Sequence, residues 1–194
     1  MKDRAAGGEN ATLLSPQERD GLIPTHLTLH SELNELEQLN ILKADAWAFS
    51  RRHNLFAEPF ARGLHRRMFG NVWRWAGTYR ASNKNLGIDY WRAPTALRGV
   101  LDDARYWAQH KSFTPDEAAV RFHHALVCVH PFPNGNGRWS RLMADLLAHR
   151  LGRPRFTWGR SALRAADETR AAYIRALKTA DAHDIAALVE FARS

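Results

Sequence analysis

His130-Pro131-Phe132-Pro133-Asn134-Gly135-Asn136-Gly137-Arg138-Trp139-Ser140-Arg141 interrupts an otherwise helical sequence. The residues before it carry an apolar helical period ending at Val129. Those after it carry another, with Leu142, Leu146 and Leu147 on one face. Two helices therefore meet at a polar, glycine-rich joint. Gly135 and Gly137 let the backbone bend and approach a ligand closely. Successive N–H groups at a helix N-terminus form an anion-binding nest. Arg138 and Arg141 lie three apart, so both can serve one side of that helix, and guanidinium groups grip phosphate oxygens two at a time. The joint reads as a polyphosphate cradle. It is not the common P-loop, because the Gly-Lys-Ser/Thr spacing is absent. His130 stands at its lip, and histidine, whose ordinary titration lies near neutral pH, can accept a proton from a hydroxyl.

Outward from this joint the chain reads as mainly α. A lead-in covers 1–20. Helical spacing of Leu36, Leu39, Asn40, Lys43, Ala46 and Trp47 predicts a helix over 31–52, and Pro59 opens another running to residue 68. Residues 77–93 lack helical period and predict a loop with a short hairpin. Pro94 opens the next helix. Thr114-Pro115-Asp116-Glu117 combines a cap, a first-turn proline and an acid three residues on, which predicts a helix to Val129. Further helices are expected over 137–150, 167–180 and 184–192, with Gly152 and Pro154 ending the first of these.

The 194 residues suit one compact domain behind the short lead-in. A single cysteine, Cys128, excludes an intrachain disulfide. No apolar run approaches the roughly 18 residues of a membrane span, and 1–10 lack the apolar core of a signal peptide. Cytoplasmic residence away from membranes is the expectation. The formal charge of +8 favours anionic partners. Nucleic acid, a nucleoside triphosphate and a merely arginine-rich composition all satisfy it. The arginines are scattered rather than massed, so direct nucleic-acid binding is not the expectation.

The joint resembles the motif of the Fic family, His-x-Phe-x-(Asp/Glu)-Gly-Asn-Gly-Arg-x-x-Arg. Leu64-His65-Arg66-Arg67-Met68-Phe69, Trp73 to Arg80, Phe122-His123-His124 and Tyr173 to Asp184 are similar to other parts of that family. Gly21-Leu22-Ile23-Pro24-Thr25-His26 and Glu32-Leu33-Asn34-Glu35 resemble its mobile mystery protein B subgroup. The likeness spans 21–194 and implies a Fic fold, a helical bundle with a small β-hairpin flap. It implies protein adenylyltransferase activity, transfer of AMP from ATP to a Tyr, Thr or Ser hydroxyl of a protein target. It implies His130 as general base. The N–H groups of Gly135, Asn136 and Gly137, with the Asn136 side chain, would hold phosphates. Arg138 and Arg141 would bind the β- and γ-phosphates, and Tyr173 and Asp181 would line the adenine pocket. The flap, near 83–90, would dock the target by strand addition. Asn134 stands where the family carries the acid that holds Mg²⁺, which implies a weaker metal ligand. Thr28-Leu29-His30-Ser31-Glu32-Leu33-Asn34 partly matches the family's inhibitory helix, with Glu32 expected to pair with Arg141. The resemblance also brings a small helix-turn-helix partner protein. Two alternatives stay open: a toxin–antitoxin-like or DNA-associated binding component with little catalysis, and a variant transferring phosphate.

Overall fold

The computed structural model describes residues 15–24, 30–162 and 165–194, apart from the side chains of 30–32 and 166. Its described residues form α1 (Pro16–Arg19), α2 (His30–Phe49), α3 (Glu58–Phe69), a 3-10 turn (Tyr90–Arg92), α4 (Ala93–His110), α5 (Pro115–Val129), α6 (Asn136–Arg150), α7 (Ala166–Asp181) and α8 (Ala186–Arg193). The mainly helical expectation holds, with element ends within a few residues of those read from the sequence. None of these helices is long and apolar enough to cross a membrane.

α5 starts where its cap predicts: Thr114 Oγ1 accepts the Glu117 N–H at 3.3 Å, and Pro115 occupies the first turn. Its apolar face buries Ala118, Phe122, Leu126 and Val129 against α6. α2 packs on α3, α4 on α5, and the α7–α8 pair closes the bundle with α8 against α5. Trp139 of α6 is fully buried, and its indole N–H reaches the Ala61 carbonyl of α3 at 2.9 Å. That bond ties the helix after the joint to the centre of the molecule.

Two details depart from the sequence reading. Within the expected lead-in, residues 15–20 form a docked helical turn; 1–14 lie outside the described residues. Ser15 and Glu18 make a reciprocal capping box, the Trp75 indole donates to the Glu18 carbonyl at 2.9 Å, and Lys84 pairs with the Glu18 carboxylate. Leu22 then bridges to Trp73, the one β-bridge among the described residues. The hairpin expected over 77–93 forms no paired strands there. Arg80 explains this. Its guanidinium donates to the carbonyls of Ser82 and Ile88, so one buried side chain meets carbonyls that a cross-strand ladder would otherwise satisfy. The Asn83 amide adds to the fold of the loop, donating to Asp89 at 3.1 Å and accepting the Tyr90 N–H at 2.9 Å.

Candidate active site

The joint lies where α5 stops and α6 starts. His130 ends α5 in the left-handed region, φ 51° and ψ 59°. A non-glycine residue there is uncommon and marks a constrained position. Its N–H closes the last turn of α5 on Leu126 O, 3.1 Å, and its carbonyl accepts Arg80 Nε at 2.6 Å. The residue is 4% exposed. Burial, then the Arg80 charge, hold the imidazole down to about 4. At neutral pH it is therefore uncharged and able to take a proton.

The loop after His130 is braced from below. Phe132 is fully buried, stacked 3.8 Å from the His65 ring and edge-on to Trp139 at 4.9 Å. Asn136 clamps the loop with two bonds: its Oδ1 accepts the Phe132 N–H at 3.0 Å and its Nδ2 donates to the Phe132 carbonyl at 2.8 Å. The Asn136 side chain thus braces the loop, and its backbone N–H lies in the first turn of α6. His65 adds a second brace. Its Nδ1 accepts the Gly77 N–H at 3.0 Å, so the proton of the neutral ring sits on Nε2 and is donated to the Asn134 carbonyl at 3.0 Å.

Gly135 caps α6 at φ 78°, and a Cβ there would lie 2.6 Å from the Phe69 ring. Conformation and packing both demand glycine. α6 carries no side-chain cap, so its first N–H groups are left for a ligand. A Cβ on Gly137 would meet nothing within 4 Å. The space it would fill is the cradle, and bare N–H groups beside two arginines fit a nucleotide's phosphates. A dedicated Mg²⁺ ligand does not fit as well. Asn134 offers a neutral amide whose Oδ1 already accepts the Gly135 N–H at 2.6 Å, whereas a hard cation prefers a carboxylate.

The two arginines are set differently. Arg138 lies 4.8 Å over the Phe69 ring and pairs with Glu37 at 2.6 Å. Glu37 belongs to α2, is 7% exposed, and also accepts the Trp73 indole N–H at 2.6 Å. Arg141 folds back on the Gly137 carbonyl at 3.1 Å and lies 5.4 Å over the Tyr173 ring. Tyr173 in turn bonds His123 at 2.9 Å, and Asp181 bonds His124 at 2.8 Å. The Glu32 side chain and Thr28 lie outside the described residues. Three residues beyond the segment expected to inhibit, Glu37 of α2 reaches the other motif arginine, Arg138. Sequence reading missed Glu37, His65, Arg80 and Gly87. The last packs against the base: a Cβ on Gly87, at φ 93°, would lie 2.4 Å from His130 Cβ.

These buried histidines carry a stability consequence. Burial is the first cause in each, pushing His65 and His123 down to about 3 and His130 to about 4. Unfolded, each titrates near 6.5. Between pH 4 and 6 the unfolded chain thus binds more protons at three positions. Asp145, raised to about 6 by burial, offsets one of them. Stability is expected to fall with falling pH through this window by roughly 3 kcal/mol per pH unit. Thermal melts from pH 7 to 4 check this; a flat Tm would contradict it.

Residues 56–148 match the model of the Fic/DOC family, so the chain carries a Fic/DOC domain. It is 32% identical to the protein adenylyltransferase fic-1 of Caenorhabditis briggsae over 146 residues, 73% of this chain and 27% of that protein. The chain thus spans about a quarter of the length of that curated relative. The structure of Fic-1 (residues 134–508, E274G) from C. elegans superposes with TM-score 0.65 at 26% identity, over 91% of this chain and 51% of that one. BepC from Bartonella tribocorum, solved with bound AMPPNP, superposes with TM-score 0.66 over 92% of this chain and 97% of that one. At 17% identity it shows the fold alone.

Proposed function

We propose that this chain is a protein adenylyltransferase that moves AMP from ATP to a Tyr, Thr or Ser hydroxyl of a protein target. The observation carrying it is a neutral His130 held rigidly at the mouth of an uncapped helix that bears Arg138 and Arg141. His130 takes the hydroxyl proton as the oxygen attacks the α-phosphorus. The bond from that phosphorus to the bridging oxygen breaks, and pyrophosphate leaves. The N–H groups of Asn136 and Gly137 hold phosphate oxygens, joined by that of Gly135 once it releases the Asn134 amide, with Arg138 and Arg141 on the β- and γ-phosphates. Tyr173, under Arg141, borders the adenine side, and Asp181, next to His124, lines the same pocket. Asn134 would be a weak ligand for Mg²⁺ held mainly by the ATP phosphates, an ion that would supply charge neutralisation there. The loop 83–90 lies over His130 and presents the target, with Leu86 and Tyr90 exposed beside it.

The domain 21–194 belongs with the mobile mystery protein B subgroup, works in the cytoplasm, and has a small helix-turn-helix partner that would read any DNA involved. The Asn134 amide also keeps phosphate transfer in view. The deciding experiment offers ATP labelled at the α- or the γ-phosphate to the chain and candidate target proteins. Label from the α-position supports adenylyl transfer. Label from the γ-position alone moves the reading to phosphate transfer. No label, together with salt-sensitive DNA binding, favours a binding component.

Restraint by α2 is part of the proposal. Glu37 competes with phosphate for Arg138, as Glu32 would for Arg141. Glu37→Gln keeps an acceptor for Trp73 and removes the charge. ATP affinity should rise about ten-fold, the effect of about 1.4 kcal/mol. Calorimetric titration reads it, and unchanged or weaker binding would remove Glu37 from the restraint.

A further inference from the structure

Beside the cradle, three different donors converge near the C-terminal end of α5. His124 and Cys128 sit one turn apart on that helix, and Asp181 is the last residue of α7. His124 Nε2 lies 2.8 Å from Asp181 Oδ1 and 3.6 Å from Cys128 Sγ, and Sγ lies 3.7 Å from the same Oδ1. One atom from each residue therefore closes a triangle, all within 4.8 Å of one another.

The geometry separates two kinds of chemistry. A catalytic relay would place the thiol on one imidazole nitrogen and the carboxylate on the other, so that the ring passes a proton between them. Here both meet the same nitrogen, so His124 cannot orient itself on Asp181 while activating Cys128. Convergence on a single point is what a metal ion requires. Tetrahedral Zn²⁺ with bonds of about 2.0–2.3 Å separates its ligand atoms by roughly 3.3–3.6 Å. The two sulfur separations already match. The third is a hydrogen-bond length, and it opens by about 0.5 Å once the shared proton gives way to the ion.

We propose that His124, Cys128 and Asp181 form a Zn²⁺ site with one coordination position open to water. Thiolate, imidazole and carboxylate together suit zinc better than the harder Mg²⁺ or Ca²⁺. The ligands place a thiolate, a carboxylate and a neutral imidazole around a dication, so the loaded site is neutral. On binding, the Cys128 thiol proton leaves to solvent and the S–Zn bond forms. Asp181 is 60% exposed at the side chain, which gives the ion an entry path. The loaded site would staple the end of α5, two residues before His130, to the end of α7.

The test uses the full chain without a polyhistidine tag, stripped by chelator and free of nucleotide, so its result does not depend on the proposed transferase activity. Zn²⁺ is titrated in competition with a chromophoric chelator, and Co²⁺ serves as a spectroscopic probe. The expected result is one ion per chain and a cobalt–thiolate charge-transfer band. Cys128→Ser should abolish that band and weaken Zn²⁺ at least about ten-fold, no less than the loss of an outer partner typically does. Zn²⁺ should also shield Cys128 from alkylation in the parent chain. Absence of stoichiometric binding, a cobalt spectrum without the thiolate band, or equal affinity in Cys128→Ser would each overturn the site. Cys128→Ser is nearly isosteric at the surface, and an unchanged far-ultraviolet circular dichroism spectrum confirms its fold.

Discussion

Replacing His130 with alanine is expected to remove AMP transfer while leaving ATP bound. In the proposed reaction the imidazole would be the proton acceptor, and a positioned general base contributes about 10²–10⁴ in rate, or about 3–5 kcal/mol of barrier. In that proposal the phosphates would rest on Gly135, Asn136, Gly137 and the two arginines, so ATP affinity should change by no more than about two-fold. Such a split between rate and binding identifies a group that acts in the transition state. Single-turnover transfer of α-labelled phosphate, beside calorimetric ATP titration, reads both quantities. The pH profile adds an independent check. With His130 held down to about 4, the acid limb of kcat/KM in the parent chain should lie well below the 6.5 of ordinary histidine. Acid unfolding must be separated from it by measuring initial rates after brief pH jumps. Full transfer by His130→Ala would assign the base elsewhere.

The second large effect is expected from Arg80→Leu. Arg80 is 2% exposed and donates to three carbonyls: His130 at 2.6 Å, Ser82 at 3.0 Å, and Ile88. Leucine fills much of the volume but offers no donor. The His130 carbonyl is the buried one of the three, and a buried carbonyl left unmet costs about 1–3 kcal/mol, so the variant should lose about that much, a sizeable part of the ~5–15 kcal/mol typical of a domain. Denaturant titration measures the loss. The same substitution removes the positive charge second only to burial in depressing His130. The acid limb of the rate profile should therefore move up from its position in the parent chain. Burial persists, so it should stop short of 6.5. An unshifted limb in a folded variant would show that Arg80 shapes the loop without tuning the base.

Much of this molecule is legible along the chain. The apolar period of α5, its Thr114–Pro115 start and the glycine break after His130 are local features. Local hydrogen bonding and backbone sterics act over a few residues, so they fix helix ends wherever the helix docks. The candidate base and phosphate cradle are likewise adjacent in sequence, between His130 and Arg141. Resemblance to a family supplied their roles, because spacing alone permits an ordinary turn.

Other features depend on residues far apart in sequence, and only packing brings those together. Glu37 reads as one acid among several on α2 until α2 settles against α3 and α6 and lays it on Arg138, 101 residues away. Arg80 reads as a loop arginine with no evident task; buried, it meets loop carbonyls where a strand ladder was expected and adds to burial in keeping His130 neutral. Asn136 reads as a ligand, yet its amide turns inward because the Phe132 backbone beside it must be satisfied. His124, Cys128 and Asp181 carry no motif spacing, since Asp181 comes from another helix. The sequence determined which residues could bend, cap and donate. Tertiary structure decided which partners they met, because burial leaves each polar group one affordable arrangement and that arrangement is set by distant chain.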